Sequence, residues 1–174
     1  FSTTPTSHVV SSFNLFWPQS GRRRREWRDM AANDALLLEK AAKCLQEVAK
    51  PSAFSLTQLE PPSASFSFLA PEGSIWKGER LRARLEVKGG ELSWVFESAL
   101  FHPNVSASGR PCLGGQERNV HSAADLYLHV CSLLCSPNSD DALVEEAALL
   151  YRRRQDEWSR LALLLFRKGE GEGR

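Results

Sequence analysis

"FHPNVSASGRPCLGG", residues 101–115, carries one cysteine, Cys112, ten residues after His102 of a His102-Pro103-Asn104 triplet. It opens a run from Pro103 to His121 with neither the two-residue period of a strand nor the 3.6-residue period of a helix. An irregular run of that length inside a compact domain is usually functional. Residue chemistry leaves three readings for Cys112: nucleophile, metal ligand, or small buried residue. Thiolate is a good nucleophile and exchanges acyl groups without a dedicated protease-like triad. A His/Cys dyad, with His102 or His121 as base, is the rival nucleophilic reading and requires an oxyanion hole as well.

Upstream of this stretch the sequence has strand chemistry. "RLRARLEV" (80–87) alternates, with Leu81, Ala83, Leu85 and Val87 on one face and Arg80, Arg82, Arg84 and Glu86 on the other. Such a strand buries one face and wets the other, so its arginines read as solvent-facing sheet positions as readily as a basic patch. "AFSLTQLE" (53–60), closed by Pro61-Pro62, and "ASFSFLA" (64–70) are two earlier strands. "KGGE" (88–91) supplies a hairpin turn into "LSWVFESALF" (92–101), the fourth. Before them, Leu37, Ala41, Cys44, Leu45 and Val48 fall on one helical face, capped by Asn33 or Asp34 and ended by Pro51. After the loop, Ser122 caps a helix to about Cys135, and Ser139 or Asp140 begins a long last helix. Its stripe is Val144, Ala147, Ala148, Tyr151, Trp158, Leu161, Ala162 and Leu165. The order predicts an α+β domain: an N-terminal helix, a four-stranded antiparallel meander, the loop, then C-terminal helices.

The totals fit one domain of 174 residues, 42% hydrophobic, with a net charge of +1. That charge does not steer the whole molecule to nucleic acid or membrane, and no apolar run reaches a membrane span. "GRRRREWR" (21–28) is the one basic run, and it reads as a solvated arm ahead of a charge-docking or nuclear-address role. Residues 1–31 are therefore expected to be a flexible basic extension and 169–174, "GEGEGR", a mobile tail. The first residues lack the basic-then-apolar order of a secretory signal. The chain begins with Phe1, which suggests a fragment or processed product. Met30, the sole methionine, either starts the mature chain or follows a real extension.

Cys44, Cys112, Cys131 and Cys135 form no Cys-x-x-Cys pair, and no metal or cofactor is expected. Cys131 and Cys135 share a helical face near His129, where small residues facing a core are the simpler reading than a metal. A reducing cytoplasm or nucleus is the expected compartment, so Asn104-Val105-Ser106 reads as a chance match to a glycosylation acceptor. Glycine-rich phosphate loops do not occur in the sequence.

In this setting the loop resembles the active-site signature of ubiquitin-conjugating enzymes: H-P-N, a glycine, then Cys-Leu at matching spacing. "SLLCSPNSDDALVEEAALLY" (132–151) resembles the helix, Pro-Asn turn, acidic pair and helix that follow that site, and "APEGSIWKGERLRARLEV" (70–87) is similar to the turn between the second and third strands. The resemblance covers about residues 32–168, the expected conjugating domain. It implies that Cys112 accepts ubiquitin or a related modifier as a thioester from an activating enzyme. A substrate lysine or a second thiol, with a ligase, would then receive it. It further implies that Asn104 supports the oxyanion or shapes the loop, that Asp141 orients the incoming amine, and that His102, Pro103, Gly109 and Leu113 build the loop. An inactive interaction module of the same fold is the alternative.

Three features depart from the family pattern. "VKGGEL" (87–92) stands where a proline-rich turn is usual. "LGGQERNVHSAADLY" (113–127) is shortened and lacks a Trp-x-Pro segment. Pro111 replaces an aliphatic residue and removes an N–H beside the cysteine. The first two fall on the family's ligase-binding surface. "FNLFW" (13–17) resembles the extension by which cullin-modifying (neddylation) conjugating enzymes hold their activating enzyme, which makes Phe13, Leu15 and Phe16 candidate contacts. "EEAALL" (145–150) looks similar to the same branch.

Overall fold

The computed structural model describes residues 21–49, 52–115 and 121–172. The element order is α1 (Gly21–Val48), β1 (Phe54–Glu60), β2 (Ser63–Leu69), β3 (Arg80–Lys88), β4 (Glu91–Phe96), α2 (Ala123–Cys135), α3 (Glu145–Arg153) and α4 (Gln155–Glu172). The strands pair antiparallel in sequence order, which is the expected meander. Leu81, Ala83, Leu85 and Val87 are buried as the alternation of β3 requires. They pack with Ala64, Phe66, Phe68 and Trp94 beneath α1, which contributes Leu38, Ala41 and Leu45, with Ala49 just past its end. The rings of Phe66 and Phe68 meet Trp94 edge-on at centroid distances of 4.9 and 5.5 Å.

Several expected boundaries are corrected. α1 begins at Gly21, well before Asn33 and Asp34, because residues 22–32 contain no proline or glycine to stop it. The buried face of α1 is also turned toward Leu38 and Ala42; Leu37 and Cys44 flank it half-buried and Val48 is exposed. Asp34 does different work. Its carboxylate accepts the Gly89 N–H at 3.1 Å and the Gly90 N–H at 2.9 Å. Both glycines have positive φ, 61° and 82°, as a two-residue hairpin loop between the paired Lys88 and Glu91 demands. α1 is thereby pinned to the β3–β4 turn.

β4 stops at Phe96 and does not continue to Phe101, for two local reasons. The Phe96 N–H is taken by the Gly109 carbonyl at 2.8 Å, and the Glu97 and Ser98 N–H groups both donate to the Arg82 carbonyl. The chain leaves the sheet there and enters the loop.

α2 is capped by Ser122 as expected: its Oγ accepts the Asp125 N–H and donates to the Asp125 carboxylate. The expected last helix is two helices. Arg154 is non-helical (φ −148°, ψ 66°), and α3 starts after Val144 in place of Ser139 or Asp140. The break shifts the buried stripe to Ala147, Ala148, Trp158, Ala162 and Phe166, and leaves Leu165 exposed. α4 runs through most of the stretch expected to be a mobile tail. Glu170 accepts from Arg82 at 3.0 Å and from the Ser98 hydroxyl at 2.9 Å. The outward arginines of β3 are likewise compensated: Arg84 pairs with Glu86 and Glu97, and Arg80 bonds Ser67 and backbone carbonyls. Among the described residues, no helix is long and apolar enough to cross a membrane.

Replacing Asp34 by Ala removes the acceptor for two turn N–H groups. Hydrogen bonds to a charged group predict a loss of about 1–2 kcal/mol of stability at this exposed site. Hydrogen exchange should quicken at Gly89 and Gly90 while the amides of β2 keep their relative protection.

Candidate active site

The loop after β4 is shaped by a short return. Val105 and Pro111 face each other in an antiparallel bridge. The flanking bonds are Ser106 N–H to Arg110 O at 2.9 Å and Cys112 N–H to Asn104 O at 2.8 Å. In such a pair the facing residues exchange no bonds of their own. Pro111 therefore stands where no N–H is needed, and it leaves the loop's pairing intact. Between the arms, Ser106 to Gly109 forms a turn closed by Gly109 N–H to Ser106 O. Gly109 has φ +79°, and a Cβ there would run into the Phe96 carbonyl oxygen.

His102 and Asn104 hold the loop from beneath and are fully buried, at 0% and 1% exposure. His102 Nδ1 accepts the Asn104 N–H at 3.0 Å, and Nε2–H donates to the Leu133 carbonyl at 3.2 Å. Burial pushes the His102 ring down to about 4, with the Leu133 bond opposing. With both nitrogens committed to backbone, His102 cannot serve as base to Cys112. His121 lies exposed at the entry to α2, where its N–H donates to Asp125.

The Asn104 side chain joins the loop to the segment between α2 and α3. Nδ2 donates to Asn138 O at 2.7 Å and to Asp141 O at 2.9 Å, and Oδ1 accepts the Asn138 N–H at 2.8 Å. The Pro103 carbonyl reinforces this joint by accepting the Leu143 and Val144 N–H groups. The consequence is a juxtaposition across 29 residues of chain: the Cys112 Sγ lies 4.0 Å from Asp141 Oδ2. Cys112 is half-buried, and Leu113 turns back to pack against the core.

One anchor had no sequence signal beyond opposite charge. Arg110, two residues before the thiol, donates to Glu86 of β3 at 2.6 Å. Partial burial works against the Glu86 charge, but hydrogen bonds from Arg110 and Arg84 outweigh it and hold the carboxyl below its ordinary range. Asn138, part of the quoted "SPNSDD", is a second residue whose place only the fold reveals.

Cys131 is half-buried beside Tyr127, and burial pushes its thiol up to about 11; Cys135 is exposed, against the expectation that it faces a core. The His129 Nδ1–H donates to Asp125 O at 2.7 Å. Among the described residues, no group of three or more His, Cys, Asp or Glu is placed to hold a metal. Phe13, Leu15 and Phe16 lie outside the described residues.

Residues 63–164, more than half the chain, match the family described as ubiquitin-conjugating enzyme. The fold is similar to the crystal structure of a Plasmodium yoelii protein assigned as a ubiquitin conjugating enzyme. The TM-score is 0.66 at 18% identity, with 78% of this chain and 94% of that one covered.

Two outcomes follow from the loop. Gly109→Ala costs at least about 1–2 kcal/mol from the left-handed backbone alone, before the contact with Phe96, and thermal unfolding will register it. For His102, a ring held below its ordinary value is neutral when folded and protonates when unfolded. Stability is thus full above about pH 6.5 and falls as pH drops toward 4, by about 2 kcal/mol at pH 4.5. Denaturation curves at pH 7 and 4.5 should show that extra loss in the parent and not in His102→Gln.

Proposed function

The chain belongs to the ubiquitin-conjugating enzyme family, and we propose that it carries a modifier of the ubiquitin class as a thioester on Cys112 and passes it to an amine. The observation that carries this reading is the half-exposed thiol 4.0 Å from the Asp141 carboxylate, on a loop whose histidine is unavailable as a base. A thiolate leaving group needs no general acid, so a cysteine without a histidine partner suits exchange between thioesters better than amide hydrolysis.

The charging step exchanges one thioester for another. The Cys112 sulfur attacks the carbonyl carbon of the modifier's thioester on an activating enzyme, and that enzyme's thiolate leaves. In the transfer step a lysine nitrogen attacks the same carbon. The C–S bond to Cys112 breaks, an amide forms, and the amine's surplus proton is lost as the thiolate is released. Asp141 is the group placed to orient the amine and draw on that proton. Asn104, with its polar atoms committed to backbone, acts in this scheme as the residue that shapes the loop. The alternative of an inactive interaction module loses the support of Pro111, since no N–H is missing from the loop's pairing. A ligase and an activating enzyme are the partners this chemistry requires. We assign the Phe13, Leu15 and Phe16 segment to the activating enzyme, and the modifier used by the cullin-modifying branch is the first to test.

Incubation with ATP, activating enzymes and a panel of modifiers, read on a non-reducing gel, should yield one thiol-sensitive adduct absent in Cys112→Ala. Cys112→Ser should trap a thiol-resistant ester. Asp141→Ala should slow discharge to free lysine about 10²-fold, in the usual range for positioned acid–base groups, and charging far less. No adduct with any modifier overturns the proposal.

A further inference from the structure

We propose that Asn138 supplies the side-chain hydrogen-bond donor to the carbonyl oxygen of the acyl group on Cys112. The proposal rests on the reading of Cys112 as the thioester carrier. When an amine attacks that thioester, the carbonyl π electrons move to oxygen and an oxyanion forms. The negative charge returns to the carbon–oxygen bond as the C–S bond breaks and the sulfur leaves as thiolate. A donor aimed at the oxygen stabilises the transition state most when its position is fixed beforehand.

Asn104 is the carboxamide beneath the nucleophile's own loop, but both its N–H bonds are already given to the carbonyls of Asn138 and Asp141. Swinging it to an oxyanion would leave two carbonyls bare at a site that is 1% exposed. Burying unpaired polar groups is costly, and the exchange would return one bond for two. Asn138 has the opposite disposition. Its side chain is exposed, and Oδ1 is held by the Asp140 N–H at 3.1 Å, which fixes the carboxamide plane and leaves Nδ2 on the other side. Nδ2 lies 4.0 Å from where a Cβ on Gly114, two residues after the nucleophile, would stand. Among the described residues Nδ2 has no hydrogen-bond partner.

The backbone of Asn138 is as fixed as its side chain is available. Its N–H and carbonyl are both bonded to the Asn104 side chain, while the Asn104 carbonyl holds the Cys112 N–H. One residue thus sets the thiol and the donor relative to each other. Asp141 follows three positions later, with its carboxylate against the sulfur. The turn between α2 and α3 thus carries an acceptor beside the sulfur and a donor beside Gly114, two residues past it.

The test uses the full chain, charged by activating enzyme and chased with free lysine, with thermal unfolding measured on each variant. Asn138→Ala removes the donor; Asn138→Asp keeps the acceptor that the Asp140 N–H uses. Both should charge normally, unfold within a few degrees of the parent, and discharge about 10²-fold more slowly, the usual loss for one oxyanion donor. Asn104→Asp should lower the unfolding midpoint. Parental discharge rates in both Asn138 variants overturn the proposal, as does an Asn104→Asp protein of unchanged stability that charges and fails to discharge. Failure of the parent to charge at all instead overturns the thioester reading beneath it.

Discussion

The side-chain amide of Asn104 is the constraint on which the site depends. It is buried, and all three of its hydrogen bonds end on backbone of one distant segment, residues 138–141. A buried amide left unpaired would cost roughly 1–3 kcal/mol per group. The loop and the α2–α3 turn therefore move together or not at all. His102 sits under this joint and has no bond to the thiol. Its ring replaces water as acceptor for the Asn104 N–H and as donor to the Leu133 carbonyl, which ties α2 into the same assembly. Trp76 and Trp158 pack around the ring at centroid distances of 5.9 and 6.3 Å and keep it dry. The H-P-N triplet is best understood as a clamp whose product is the position of Cys112 and Asp141.

Much of this fold was legible in the sequence because two-residue alternation is unambiguous in a sheet with one wet face. β3 could bury only the Leu81 to Val87 set, and the Gly89-Gly90 pair fixed its hairpin. The helix limits were harder to read, each for its own reason. The start of α1 was missed because Asp34, a plausible capping acid, drew the helix start inward, whereas it faces another element altogether. The break at Arg154 involves neither glycine nor proline. It is visible only as the change of phase that lets Trp158 and Phe166 reach the core. Glycines 169 and 171 suggested an unstructured tail, and the ion pair of Glu170 with Arg82, 88 residues away in sequence, lies beyond any local pattern.

The site divides in the same way. Cys112, Asn104 and Asp141 were nameable as candidates from spacing and resemblance. Their geometry was not, because it depends on which polar atoms the fold has already committed. Pro111 shows the difference most plainly. In sequence it is a missing N–H next to Cys112. In the structure the bridge with Val105 draws its bonds from Asn104, Ser106, Arg110 and Cys112, and proline costs nothing there. Arg110 and Glu86 are simply charges in sequence, and in the fold they link the thiol's own arm to β3.

A conjugating site has conflicting needs: it must be open enough for large protein partners and rigid enough to hold a few atoms in place. Here rigidity is placed underneath and access above. The groups committed to backbone, His102 and Asn104, are buried; the groups left uncommitted to the joint, Cys112 and the side chains of Asn138 and Asp141, lie at the surface around it. The β3–β4 turn follows the same logic. A pair of glycines would ordinarily make it loose, and the Asp34 carboxylate from α1 restores definition by holding both N–H groups. In both places a single side chain, Asp34 on α1 and the buried Asn104, fixes a neighbouring turn through that turn's backbone. The loop's own side chains are then left for partners.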